Sequence, residues 1–413
     1  MMRTCSLTLF LLLVVFVPVL LLSADPAAAA DEVFTATSAI TLPNGQNVRS
    51  FDISFVDPVL GLYILADRTN KTVDVIDTDT NTVLTQLAAG MFTGTAPCNP
   101  PAGANDCAGP NGVLTVNHRE VWVGDGNSTI KVIDLFNQKV THTIPTCSPF
   151  PACAPAAKRA DELCFDPRDQ LVLMANDAAT PSPFITFIPT RGPNAYKVVK
   201  TITMDGTHGT PNATNGIEQC QWSRRTGKFY LNIPEVNGPG DDSKPGAVLV
   251  ISPETMEIEK TFNIPLDKCA GPQGMAIGPD EQILLGCNAS LSSVIINERS
   301  GKVIATLPNE GGPDEVWFND GDDHYFLARS AAVGPHQLLG VVDARDHHED
   351  QSVPIALAGR PNAHSVAADP VLNQVYVPIP AGHSSVCSSA GGSDAHGCIA
   401  VFTTTTDDRP VPR

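Results

Sequence analysis

"GPNGVLTVNHREVWVGDGNSTIKVIDLFNQKVTHTIP" (109–145) carries the reading of the fold. Within it the runs "VLTV", "EVWVGD", "TIKVID" and "KVTHTI" alternate apolar and polar residues and are cut by Asn, Asp and Gly turns. A two-residue period sends successive side chains to opposite faces, so each run reads as a strand and each turn reverses the chain. The same plan stands at "SFDISFVDPVLGLYILADRTNKTVDVIDTDTNTVLTQLA" (50–88). Further copies open at "RADELCFDPRDQLVLMAND", "NGIEQCQWSRRTGKFYLNI", "GPQGMAIGPDEQILLGCN", "GPDEVWFNDGDDHYFLARS" and "PNAHSVAADPVLNQVYVPI". Two of the openings, "CAGPNG" (107–112) and "CAGPQG" (269–274), are near-identical. Seven copies of roughly fifty residues each fill residues 31–413, with no amphipathic helix among them.

Four strands per copy, repeated seven times, predict an all-β, seven-bladed β-propeller of four-stranded antiparallel blades in a single domain. The seventh copy ends in "GCIAVFTTTT" without a clear outermost strand. The leftover segment "VFTATSAITLP" (33–43) reads like the outermost strand of other copies, such as "KVIATLP" (302–308). This N-terminal strand is expected to close the last blade. Phrases such as "ILADRTNKTVDVIDTDTNTVLTQL" and "VWVGDGNSTIKVIDLFNQKVTHTI" resemble the YVTN-type β-propeller repeat of exported bacterial and archaeal proteins. That resemblance implies the fold and export, and no particular activity, because propellers host many functions.

The N-terminus agrees with export. Arg3 precedes an apolar run that ends in small residues around Ala28–Ala30, the pattern of a secretory signal peptide over residues 1–30. A secreted or periplasmic monomer with no membrane span after signal removal is expected. The formal net charge is −18, and such an acidic surface repels a phosphate backbone, which excludes nucleic acid as a partner. Cys5 leaves with the signal, and the others suit an oxidising compartment. Close spacing in Pro/Gly/Ser-rich loops predicts staples between Cys98 and Cys107, Cys147 and Cys153, and Cys387 and Cys398. The pairing of Cys164, Cys220, Cys269 and Cys287 stays open, and no CxxC or Cys/His spacing favours zinc.

A candidate site follows from setting the seven openings in register. One column then reads Asp52, Asn111, Asp161, Glu218, Gln273, Asp314 and His364, polar in every copy and placed at the start of each innermost strand. Innermost strands line the channel, so these side chains are expected to form one ring at one mouth. Close like charges raise one another's pKa unless something positive sits among them, and a bound divalent cation is the simplest remedy. The oxygen donors favour Ca²⁺, Mg²⁺ or Mn²⁺, and His364 would admit Zn²⁺. The other reading of the ring is a set of solvated mouth residues around channel water.

The neighbouring column, Ile53, Gly112, Glu162, Gln219, Gly274, Glu315 and Ser365, is expected to point away from the channel, with Glu162 and Glu315 bonded to neighbouring blades or, on the other reading, backing the ring residues from behind. The ends of the second strands carry Arg68 and Arg329, possible anion contacts and otherwise surface ion pairs. "DARDHHED" (343–350) reads as an exposed loop between blades, and Trp122, Trp222 and Trp317 read as blade packing. No G-x-S-x-G elbow, GxGxxG or P-loop is present.

A second resemblance touches chemistry. Gluconolactonase-type propellers hold a divalent metal at the channel mouth through Glu, Asn and Asp. "PNG" (110–112) is similar to the Asn phrase of that family at Asn111, and "PDE" (313–315) supplies Asp314 without the following Gly. Gln273 stands where that family has Asp, and Asp52 falls near its first-blade Glu. By this resemblance the chain is a metal-dependent hydrolase or lactonase, with Asp161, Glu218 or Asp314 as general base to a metal-activated water. The alternative is a non-catalytic exported propeller that holds a small molecule or protein on its mouth face. Long inserts at 90–110, 235–245 and 380–397 would build that face or its rim.

Overall fold

In a computed structural model the described residues are 33–95, 97, 98, 103, 105–147, 158–333, 336–359 and 362–404. They form seven four-stranded antiparallel sheets. The innermost strands are Ser54–Asp57, Val113–Val116, Leu163–Asp166, Cys220–Ser223, Pro272–Ile277, Pro313–Asn319 and Ala367–Asp369. Second and third strands are buried on both faces, whereas outermost strands alternate, as in the burial of Glu257–Ile264. The outermost strand has one face in bulk solvent, which is why the alternation is sharpest there.

The closure expected from the sequence is present. Phe34–Ile40 pairs antiparallel with Cys398–Thr404 and is the outermost strand of the blade containing Ala367–Asp369 and Gln374–Ile379. Phe34 is fully buried and packs edge-on against Phe326 of the sixth blade, so the strand also seals the junction between the last two blades.

Each innermost strand starts at one mouth and ends at the other. The connections from second to third strand, and from fourth strand to the next blade, therefore lie on the face where the innermost strands begin. All three long inserts belong to those connections. The one at 380–397 contains a short helix, Val386–Ser389, and the Cys387–Cys398 disulfide. Most connections at the opposite face are tight turns.

Four disulfides are formed among the described residues: Cys98–Cys107, Cys164–Cys220, Cys269–Cys287 and Cys387–Cys398. Two of them are expected local staples. The other two settle the four cysteines that spacing left open. Cys164–Cys220 ties the innermost strands of the third and fourth blades, and such a long-range link leaves no local signature in sequence. Cys153, and with it the expected Cys147–Cys153 bridge, lies outside the described residues.

Candidate functional site: the acid-lined channel mouth

The ring is built on a repeated β-bulge. The Asp52 backbone N–H donates to the Ala66 carbonyl, while the Ala66 N–H donates to the carbonyl of Ile53, so two residues oppose one. The same arrangement sets Asn111 and Gly112 against Gly124, Asp161 and Glu162 against Ala175, and Glu218 and Gln219 against Asn232. Register shifts stand at Pro272/Met275 and Pro313/Val316 in the fifth and sixth blades. A bulge breaks the alternation of side chains and re-aims them. This corrects the expectation that the second column faces away from the channel: Glu162 and Glu315 line the mouth together with Asp161 and Asp314.

The bulges also explain the glycines of the two near-identical hexapeptides. A Cβ on Gly112 would lie 2.0 Å from the Asp161 carbonyl oxygen, and one on Gly274 would lie 2.7 Å from that of Asp314. The Gly112 N–H donates to that Asp161 carbonyl at 2.9 Å. "PNG" and "PQG" thus mark places where the backbone of a neighbouring blade comes too near for a side chain.

Asp52, Asp161, Glu218, Gln273, Asp314 and His364 open onto one cavity of about 860 Å³. Asn111 is the exception among the seven. It is fully buried beside the cavity, where its Oδ1 accepts from Arg68 Nη2 at 2.7 Å and its Nδ2 donates to the Ala160 carbonyl at 2.9 Å.

Of the positive charges near the mouth, sequence pattern marks Arg68 and Arg329 at the ends of second strands, but not Arg159. Arg68 is 3 % exposed and forms an ion pair with Asp52 in addition to its bonds to Asn111. Arg329 is equally buried, with its Nη1 3.3 Å from Glu310 and its Nε donating to the Gly311 carbonyl at 3.0 Å. Both arginines are structural and inward, contrary to the surface reading. Arg159, two residues before Asp161, places its Nε 2.6 Å from that carboxylate and pairs its other arm with Asp177. The signal for Arg159 was its spacing: residues two apart on an extended segment share a face. His364 stacks on Phe51 and sets its Nε2 3.3 Å from Asp52.

These contacts divide the acids. Burial alone would lift the Asp52 carboxyl, but Arg68, His364 and Arg159 hold it at about 2. Glu218 is pushed well above the carboxylate range by burial and by the charges of Asp177, Asp314 and Asp161. Asp161 is also well raised, by burial and by Asp52 and Asp177, although Arg159 pulls against both. Burial and the Asp52 charge raise Asp314, and the His364 contact only moderates them. Burial draws His364 down, yet its bond to Asp52 and the charges of Asp314 and Asp52 prevail and raise it.

Glu162 of the third blade and Glu315 of the sixth meet across the channel. Burial pushes both carboxyls well above the carboxylate range, helped by the Glu315 charge at Glu162 and by the Asp314 charge at Glu315. Both line the mouth cavity and Glu162 also lines the cavity beyond it, so the pair marks a waist below the ring.

A separate cluster lies on the opposite face. "DARDHHED" (343–350) is not a loop between blades but the turn joining the strands His336–Asp343 and Glu349–Leu357 of the sixth blade. Asp343 and Asp350 there, with the buried His324, bring three ligand atoms within 4.8 Å of one another. His324 Nε2 is 2.8 Å from Asp350. Among the described residues no three His, Cys, Asp or Glu side chains of the ring meet that spacing.

Fold and mouth together define a seven-bladed β-propeller with a carboxyl-rich cavity into which Arg49, Arg68 and Arg159 also project. No protein family model and no curated protein matches the chain. Among solved structures, a chain in the crystal structure of the mitotic checkpoint complex is similar in fold, with a TM-score of 0.58 over 96% of this chain and 98% of that one. At 13% sequence identity the likeness shows the propeller and nothing of its function.

Proposed function

We propose that the protein is an exported binding propeller whose channel mouth captures a cation, with a divalent metal ion as the simplest occupant. The carrying observation is the charge inventory of the cavity: six carboxyl side chains (Asp52, Asp161, Glu162, Glu218, Asp314, Glu315) against Arg49, Arg68, Arg159 and His364. Arg68 and Arg159 neutralise the side of the first three blades. Glu218, Gln273 and Asp314, from three consecutive blades, have no guanidinium partner among the described residues. They are the residues that would hold the ion, with Asp52 and Asp161 as its more distant counter-charges. Hard oxygen donors of this kind suit Ca²⁺ or Mn²⁺ completed by water. The resemblance to YVTN-type repeats, the expected signal peptide and the four disulfides support export. No helix among the described residues is long and apolar enough to cross a membrane.

A second reading, the metal-dependent hydrolase of lactonase type, is favoured by one observation. Asp52 is held ionised while Glu218, Asp161 and Asp314 are pushed toward the neutral acid, and carboxyls separated in this way divide general-base and general-acid roles. The resemblance to gluconolactonase-type propellers at Asn111 and Asp314 adds to it. Elemental analysis of the exported protein, followed by an ester and lactone panel with and without chelator, tests both. Bound metal without turnover supports the binding propeller. Chelator-sensitive turnover supports the hydrolase, and neither metal nor turnover overturns both. Including His324→Ala separates the mouth from the His324 cluster, because metal that survives this substitution does not reside in that cluster.

A further inference from the structure

The channel has a second cavity, of about 590 Å³, below the Glu162–Glu315 waist. Its character is the reverse of the mouth. Phe55, Phe165, Trp222 and Trp317 supply its walls, with Leu114 and Leu163 between them. Phe55 of the first blade and Trp317 of the sixth meet edge to face, with ring centroids 5.8 Å apart. The sequence reading assigned all three tryptophans to blade packing. That holds for Trp122, which is fully buried, whereas Trp222 and Trp317 are only partly buried and face this cavity.

The cavity is bounded by groups of different charge. At its inner end stand Glu162 and Gln219, whose amide is committed to Met275 N–H and the Val316 carbonyl. At its rim stands Arg191, exposed, on the segment between the strands Phe184–Pro189 and Lys200–Thr203. Arg191 makes no ion pair among the described residues. The acid at this end, Asp57, is buried, and its oxygens are engaged by Thr115 at 2.7 Å and His118 at 2.9 Å.

We infer that this end of the channel is a binding site for an aromatic monocarboxylate. Its ring would lie among Phe55, Phe165, Trp222 and Trp317 and its carboxylate would reach Arg191. A cavity of a few hundred Å³, mostly apolar and with Arg191 as the cation at its rim, has the form of a small-molecule site. Aromatic walls favour an aromatic body through offset and edge contacts. The planar guanidinium fork selects a carboxylate over a neutral head group. Polarity fixes the orientation: the acid waist excludes an anionic head, and the arginine is at the open end. This site is independent of the cation reading, since it shares no proposed ligand with it.

Intrinsic fluorescence reports on it directly, because two of the three tryptophans line the cavity. The experiment titrates the full exported chain with phenylbutyrate, and in parallel with the neutral phenylbutanol, following tryptophan emission. Saturable change with phenylbutyrate is expected, and Trp222→Phe should remove most of the signal while calorimetry still detects binding. Arg191→Gln should weaken phenylbutyrate about tenfold or more and leave phenylbutanol unchanged, as loss of a charge-assisted contact requires. Arg191 is exposed, so this variant tests the site without threatening the fold. A linear, unsaturable response, or an equal effect of Arg191→Gln on acid and alcohol, would overturn the proposal.

Discussion

Arg68 is the residue on which the mouth most depends. It holds Asp52 as a carboxylate, bridges to Asn111 of the next blade, and is itself cut off from water. Removing one partner of a buried pair strands the other charge, so Arg68→Met should cost about 3–5 kcal/mol in chemical denaturation. Arg68→Met with Asp52→Asn should recover part of that loss; equal losses for single and double variants would count against the pairing. Gly112 is sensitive for a steric reason. A methyl group there meets the Asp161 carbonyl at 2.0 Å, and Gly112→Ala should cost about 1–3 kcal/mol as the second and third blades are forced apart. At this scale the sequence was only half legible. The polar column was visible because it repeats, but Arg159 occurs in one blade only, and a feature without a repeat cannot be found by aligning repeats. Glu162 and Glu315 were assigned to the wrong side because strict alternation was assumed, and a bulge is a backbone event that side-chain pattern does not announce.

Strands were the most legible elements, since turn residues and period-two runs are local properties. The seven blades and the N-terminal closure follow from them without any knowledge of contacts. Deleting residues 33–43 should leave Cys398–Thr404 as an unpaired edge and expose the packing around Phe34. Such an edge invites pairing with another chain, so the truncated protein should aggregate or self-associate in size-exclusion chromatography. A truncated protein that elutes and melts like the full chain would show that the strand is dispensable. Disulfides were legible only where they are short. Cys164–Cys220 closes a separation of 56 residues and Cys387–Cys398 one of 11. Loop-closure entropy ranks them at about 4 against about 3 kcal/mol, so replacing both members of the first pair with Ala should lower the melting temperature more. It should also loosen the apolar cavity, which Cys164 and Cys220 help to line.

Across the whole molecule the channel is polarised: an acid cup at one end, a waist marked by Glu162 and Glu315, and an aromatic pocket with Arg191 at its rim at the other. This predicts an unusual stability profile. Glu218 and Asp161 have folded pKa values above their unfolded ones, so the stability they allow is full below about pH 4 and is lost as pH rises through the raised values. Asp52 behaves oppositely: its contribution is present above about pH 4 and is lost only as pH falls toward about 2. Metal-free protein should therefore melt at a lower temperature near pH 8 than near pH 5.5. Glu218→Gln should flatten that slope and raise the melting temperature at the higher pH. The most direct test of cation capture is titration calorimetry of chelator-treated protein with Ca²⁺ and Mn²⁺ at neutral pH, run in two buffers of different ionisation enthalpy. Carboxyls whose pKa is raised in the empty mouth must give up any proton they hold to ligate a metal, so saturable binding with a buffer-dependent heat is expected, and Glu218→Gln with Asp314→Asn should abolish it. No saturable heat, or undiminished binding by that double variant, would contradict the account.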